Sequence, residues 1–298
     1  MTSAYIFDIK RFGINDGAGI RTVFFLKGCP LNCLWCQNPE GLLPGIHLWY
    51  ARHRCVGCKS CIGACPAGAL SFGERGVCID DNTCTLCGRC IEICPTGALR
   101  LDAVKLTVEE ALAEVERDRV FYDASGGGVT LSGGECTASP AFSLEFLAAC
   151  KTRGIHTAIE TCLHTGTKTL QAFLPVTDKI IADVKLIDPA AHKAATGVDN
   201  ALILQNLLML ARTDCDLLIR VPLIPGFTAT EENIRAIGTL IASLPRSVPV
   251  ELINYNPMCR EKYEALHKVY PITETSPLAA EQILFYRDIL AGYGLKVL

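Results

Sequence analysis

Thr22-Val-Phe-Phe-Leu-Lys-Gly-Cys29-Pro-Leu-Asn-Cys33-Leu-Trp-Cys36 is a short β-rich run that leads through a glycine straight into three cysteines. Residues 22–26 predict a strand, and five runs of the same character follow at 129–132, 156–161, 179–185, 217–223 and 250–255. Helical periodicity fills the intervals, for example over 141–152 and 279–291, with Gly154 and Gly292 as stop signals. This alternation predicts an α/β fold of parallel strands joined by crossover helices. Six units make a partial (β/α)6 barrel of TIM type, in which functional groups belong at the C-terminal ends of the strands. The strands do end in such residues: Gly28-Cys29, Ser132-Gly-Gly-Glu135, Glu160-Thr161, Asp183-Val-Lys185 and Asn254-Tyr-Asn256, with Arg220 in the fifth.

The chain has 298 residues, 50% hydrophobic and 20% charged, enough for one large core and a small satellite. A net charge of -3 and a pI near 6.1 provide no basic field for nucleic acid. Residues 1–11 have no apolar signal core, and the longest apolar stretch, 201–211, is too short to span a bilayer. A soluble, cytoplasmic protein without a membrane partner is expected. Its 17 cysteines then point to metal or redox use, since disulfides need an oxidising compartment.

Eleven of them are clustered. Cys55-x2-Cys58-x2-Cys61-x3-Cys65-Pro recurs 29 positions later as Cys84-x2-Cys87-x2-Cys90-x3-Cys94-Pro, and even the tails match, Gly68-Ala-Leu70 against Gly97-Ala-Leu99. This is the spacing of a bacterial two-cluster ferredoxin, in which the fourth cysteine of each run ligates the other cluster. The expected sets are Cys55, Cys58, Cys61 and Cys94 for one [4Fe-4S], and Cys84, Cys87, Cys90 and Cys65 for the other. A pair of zinc knuckles is the alternative, although zinc has no use for a duplicated triple plus a prolyl cysteine. Residues 52–101 are thus read as a ferredoxin-like insertion, and 1–51 with 102–298 as the barrel. The triple Cys29, Cys33 and Cys36 differs: three thiolates leave one iron of a cubane open for chemistry. Cys78, Cys136, Cys150, Cys162, Cys215 and Cys259 lack ligand spacing and read as small buried hydrophobes, with Cys136 bordering the site.

The C-x3-C-x2-C triple, with an aromatic before its last cysteine, is the signature of the radical S-adenosylmethionine (radical SAM) superfamily. The glycine runs 126–128 and 133–134 lack the residues of a phosphate loop. In this context they suit close backbone approach to the methionine moiety, with Glu135 facing its ammonium group. Most of the chain resembles the glycyl-radical enzyme activating enzymes: Asp16-Gly-Ala-Gly-Ile-Arg21, the cysteine triple with Gln37-Asn38, Ser125-Gly-Gly-Gly-Val-Thr-Leu-Ser-Gly-Gly-Glu135, Asp183-Val-Lys-Leu-Ile-Asp188, Arg220-Val-Pro-Leu-Ile-Pro-Gly226 and Lys262-Tyr263.

That resemblance implies reductive cleavage of S-adenosylmethionine and hydrogen abstraction from a glycine of a partner glycyl-radical enzyme, with flavodoxin or ferredoxin as electron donor. It implies adenine contacts at Trp35 and Asn38, and contacts on the carboxylate side of the ligand at Glu160, Thr161 and Asp183, where some members bind a monovalent cation. Lys185 and Arg220 become further polar contacts. Asp16, Gly17, Gly19 and Arg21 become the segment that meets the partner's glycine loop. The insertion, Cys136, and Asn256 after Tyr255 depart from the simplest members. The rivals are a radical SAM enzyme acting on a small molecule and an electron-transfer ferredoxin, of which the latter leaves the open triple and Gly133-Gly134-Glu135 unexplained.

Overall fold

The computed structural model describes residues 2–266, 268–272 and 276–298. From the N-terminus, β1 (Ser3–Gly13) and β2 (Arg21–Leu26) form an antiparallel pair. The next segment carries β3 (Leu48–Tyr50), α1 (Ser60–Ala64), β4 (Leu70–Gly73), β5 (Gly76–Ile79), α2 (Arg89–Glu92) and β6 (Leu99–Leu101). After β7 (Val104–Thr107), α3 (Val108–Glu116) and α4 (Arg119–Ser125), the chain alternates. It runs through β8 (Gly128–Gly133), α5 (Pro140–Thr152), β9 (His156–Thr161), α6 (Thr167–Phe173), β10 (Lys179–Asp183), α7 (Pro189–Thr196), α8 (Ala201–Ala211), β11 (Asp216–Leu223), α9 (Glu231–Ala242), β12 (Val250–Asn254), α10 (Arg260–Ala265) and α11 (Ala280–Gly292).

The main sheet has the order β12-β11-β10-β9-β8-β2-β1-β7. Its six strands from β2 to β12 are parallel and match the six expected from sequence within one or two residues. Strands β1 and β7 extend it with antiparallel pairings that the sequence reading lacked. Local signals start the helices: Thr107 and Glu110 form a capping box at α3, and Thr230 caps α9. At α11 the sequence expectation needs correcting, because positive φ falls at Gly294 and not at Gly292. The main core lies between the sheet and its helices, where Val129, Leu131, Ile159 and Leu207 are fully buried. No single helix among the described residues is long and apolar enough to cross a membrane.

The segment between β2 and β7 leaves and rejoins this body at one place. Strand β3 pairs with β6, and Asp102 N donates to His47 O at 2.9 Å beside that pairing. Beneath it, Lys27 Nζ donates to Asp102 Oδ2 (2.5 Å) and lies 3.1 Å from His47 Nδ1, while His47 N donates to Asp102 Oδ1 (2.8 Å). The Lys27 and Asp102 side chains are both 1% exposed.

Candidate active site and cysteine-lined cavities

The triple Cys29, Cys33 and Cys36 occupies the loop leaving the C-terminal end of β2. Backbone bonds fix it: Gly28 N to Gly41 O (2.8 Å), Cys29 N to Leu42 O (3.1 Å), Asn32 N to Thr196 O (2.7 Å) and Leu34 N to Ala195 O (3.0 Å). Helix α10 holds the far end, where Tyr263 Oη donates to Cys36 O (3.1 Å) and Lys262 Nζ donates to Asn38 Oδ1 (3.1 Å) and pairs with Glu40 (2.6 Å). Burial pushes the Cys33 thiol up to about 11 and Cys36 higher still, whereas a hydrogen bond from Cys162 draws Cys29 down. Trp35 departs from expectation. Only 4% exposed and packed 5.5 Å from Phe227 among Leu186, Ile224 and Tyr255, its ring has almost no face left for adenine.

Glu135 follows β8 and is 1% exposed. Its Oε1 accepts from Thr137 N (3.0 Å) and Oγ1 (2.9 Å), and its Oε2 from Cys162 N (2.7 Å) and Thr161 Oγ1 (3.1 Å). Cys136 Sγ also donates to Oε1 (3.6 Å); all five donors are neutral, and none of the described salt bridges involves Glu135. Such a carboxylate lacks a counter-charge, which a bound ammonium would supply. Gly133 and Gly134 are corrected. A Cβ on Gly133 would stand 2.4 Å from Leu26 N, and one on Gly134 2.4 Å from Gly41 O and 2.5 Å from Gly28 O. Their N–H neighbours are also spoken for, with Gly134 N donating to Leu26 O and Glu135 N to Gly28 O, both at 2.8 Å. These glycines admit β2 and the cysteine loop at a distance that leaves no room for a side chain.

A charged network crosses the strands beyond Glu135. Arg220 pairs with Glu160 and with Glu251 (2.8 Å), and Ser132 Oγ donates to Glu160 (2.5 Å). Burial, with Asp16 and Asp183 as like-charged neighbours, pushes Glu160 up to about 7 against the pull of Arg220. Burial opposes the charges on Lys185 and Arg220, but their carboxylate neighbours outweigh it and hold both above their ordinary ranges. Lys185 donates to Asp183 (2.7 Å) and feels the charge of Cys33 and Cys162, so it borders the cysteine loop. Arg220 instead donates to Asn15 O (2.7 Å), which turns it toward the loop between β1 and β2. The polar groups expected after β12 are structural: Asn254 brackets Leu278, and Tyr255 Oη meets Tyr270 Oη at 2.8 Å.

The 16–21 segment also needs correcting. It enters β2 at the N-terminal end of that strand, but Asp16 O accepts from Thr130 Oγ1 (2.7 Å) and Asn15 O from Arg220 (2.7 Å), so the start of the loop reaches inward across the sheet toward Glu160. Arg21 is fully buried and cannot touch a partner; it donates to Thr130 Oγ1 (2.7 Å), Ala18 O (3.1 Å) and Val129 O, and burial draws it down to about 10. Gly17 and Gly19 take positive φ, and a Cβ on Gly19 would lie 2.5 Å from Gly127 N. Asp16 remains half-buried, with Oδ2 lacking any hydrogen bond.

The repeated cysteines enclose two cavities. One is lined by Cys84, Cys87, Cys90 and Cys65 with Leu48 and Leu101. The other is lined by Cys55, Cys58, Cys61 and Cys94 with Tyr50 and Val77. Each triple meets the prolyl cysteine of the other half. Backbone donors reach the crossing sulfurs at matched positions, Ala69 N to Cys65 Sγ (3.3 Å) and Ala98 N to Cys94 Sγ (3.2 Å). Among the described residues no three His, Cys, Asp or Glu side chains converge tightly enough for a single metal ion. Thiolates bound to separate irons of a cubane need no such convergence.

Residues 23–236 match the family model of the radical SAM superfamily. The chain is 46% identical over 274 residues to the (2S)-3-sulfopropanediol sulfolyase activating enzyme of Bilophila wadsworthia, covering 90% of each chain. It is 39% identical to the choline trimethylamine-lyase activating enzyme of Oleidesulfovibrio alaskensis, covering 99% of this chain and 97% of that one. A solved domain of a pyruvate-formate lyase-activating enzyme from Bacteroides vulgatus superposes with a TM-score of 0.50 at 31% identity, covering 58% of this chain and 98% of that domain. The chain belongs to the radical SAM superfamily, whose domain implies a [4Fe-4S] cluster and S-adenosylmethionine. Within it, the chain is a member of the glycyl-radical enzyme activating enzymes.

Proposed function

We propose that the chain holds three [4Fe-4S] groups: one on Cys29, Cys33 and Cys36, one on Cys55, Cys58, Cys61 and Cys94, and one on Cys84, Cys87, Cys90 and Cys65. Residues 52–101 form the insertion that carries the latter two. The observation that carries this reading is the enclosure of each crossed cysteine set around its own cavity. When bound, the group at the first triple supplies one electron to the sulfonium of S-adenosylmethionine, whose cleavage yields methionine and a 5′-deoxyadenosyl radical that takes hydrogen from the partner's glycine. Glu135 meets the ligand's ammonium, its carboxylate held in place by backbone and hydroxyl donors. Lys185, oriented by Asp183, faces the carboxylate side together with Glu160 and Thr161. Asn38, oriented by Lys262, serves the adenine. Asp16 and the glycines beside it guide the incoming loop, and Arg21 and Arg220 act from behind as positioning residues.

The partner is a glycyl-radical enzyme of the kinds named for the relatives, lyases, dehydratases and a decarboxylase. A flavodoxin or ferredoxin delivers the electron. Anaerobic reconstitution should give about 12 iron atoms per chain. Replacing Cys29, Cys33 and Cys36 together by alanine should remove about four of them and abolish 5′-deoxyadenosine formation under dithionite; cleavage that persists would refute the assignment. With partner present, an EPR doublet should appear whose splitting collapses when the partner contains α-deuterated glycine.

A further inference from the structure

The two halves of the cysteine repeat agree in their ligands and disagree in their charge. Arg52, His53, Arg54 and Lys59 of the first half align, 29 positions on, with Asp81, Asn82, Thr83 and Gly88 of the second. Residues 52–60 therefore hold three cations and no carboxylate, while in the aligned 81–89 Asp81 and Arg89 cancel. Arg52, Arg54 and Lys59 are all exposed, as is Cys58 between them, and none of the three belongs to a described ion pair.

Backbone conformation separates the halves too. Lys59 and Gly88 both precede a short helix in left-handed geometry, with φ of +59° and +79°. Glycine adopts this freely and lysine does not, so a cation is kept where the fold prefers no side chain. Its ammonium projects over the Phe72 ring at 5.0 Å, next to the Cys55–Cys58 loop.

Position distinguishes the halves again. The cavity of Cys84, Cys87, Cys90 and Cys65 is lined by Leu48 and Leu101, the residues at which the segment joins the barrel. The cavity of Cys55, Cys58, Cys61 and Cys94 is lined by Tyr50 and Leu99, farther along the β3–β6 pairing from His47 and Asp102, and by exposed Val56 and Lys59, and is the outer one. Lys59 thus lines the outer cysteine set, Arg52 and Arg54 lead into its first cysteine, and the single cation of the aligned inner stretch, Arg89, is offset by Asp81.

We propose that Arg52, Arg54 and Lys59 form the docking surface for a small acidic one-electron carrier protein, beside the outer cysteine set. This rests on the reading that Cys55, Cys58, Cys61 and Cys94 hold a [4Fe-4S] group. Redox complexes of this kind are small and transient, and they rely on charge complementarity for orientation and encounter rate. Three cations are enough for that and too few to hold a nucleic acid on a chain of net charge -3. The glycyl-radical partner is served elsewhere, by the Asp16 loop of the barrel. One electron leaves the carrier and enters the group behind Cys58, with no bond or proton to balance.

The test uses the anaerobically reconstituted holoenzyme with an acidic flavodoxin as probe, titrated at low and raised ionic strength. Wild-type affinity should fall with salt. Arg52→Glu/Arg54→Glu/Lys59→Glu should weaken binding roughly tenfold or more, and the corresponding triple alanine variant by less, while Arg89→Glu on the inner half should leave it unchanged. Dithionite-driven 5′-deoxyadenosine formation should be preserved in the triple glutamate variant. Flavodoxin binding equal to wild type in that variant would overturn the docking surface. Iron analysis of the same preparations separates the two claims: about four irons in wild type would overturn the underlying cluster reading whatever the binding result.

Discussion

Glu160 is the residue whose protonation the fold disturbs in the accessible pH range. Raised from its ordinary 4.5 to about 7 by burial, it binds its proton more tightly folded than unfolded. Its protonated form therefore supports the fold fully below pH 4.5, and that support is lost as pH rises through 7. Unfolding free energies of wild type and Glu160→Gln should diverge across this window by up to about 3 kcal/mol, with wild type the one that weakens. Parallel curves for the two proteins would mean that Arg220 keeps Glu160 ionised throughout. At this scale the cysteine pattern stands out in the sequence, and the groups that support the site do not. Thiolate spacing announces itself, whereas an arginine after a glycine-rich turn reads as surface. Only tertiary packing shows that Arg21 is fully buried and bonded to Ala18, Val129 and Thr130.

Helix α10 is short, yet it clamps the cysteine loop through Tyr263 and Lys262. Lys262 only donates, so Asn38 must turn its oxygen toward it and its NH2 group outward. Lys262→Ala should weaken S-adenosylmethionine binding roughly tenfold by equilibrium titration while iron content stays at the wild-type level. In the insertion, Gly88→Ala should cost about 1 kcal/mol in the unfolding of the reconstituted protein, because left-handed geometry is imposed there. The six parallel strands were readable because their apolar runs are bounded by glycine and polar residues. Strand β1 was not, since Asp8, Lys10 and Arg11 interrupt it, and β7 is a four-residue edge whose pairing depends on β1.

For the molecule as a whole, the buried Lys27–Asp102 pair sits beside the β3–β6 pairing, where the Leu48–Leu101 stretch meets the main sheet. Asp102→Ala would leave a buried ammonium unpaired and should lower stability by about 3–5 kcal/mol in urea unfolding. Lys27→Met with Asp102→Leu, which removes both charges, should cost less than Asp102→Ala alone. The sequence did not disclose this pair, because neither residue lies in a motif. The same junction is also tied through the backbone. His47 and Asp102 are already joined by a backbone hydrogen bond, so a two- or three-residue glycine bridge could replace everything from Leu48 to Leu101 without moving either end. The ends of this stretch are in effect a single suture, at which other segments could be grafted onto the same sheet.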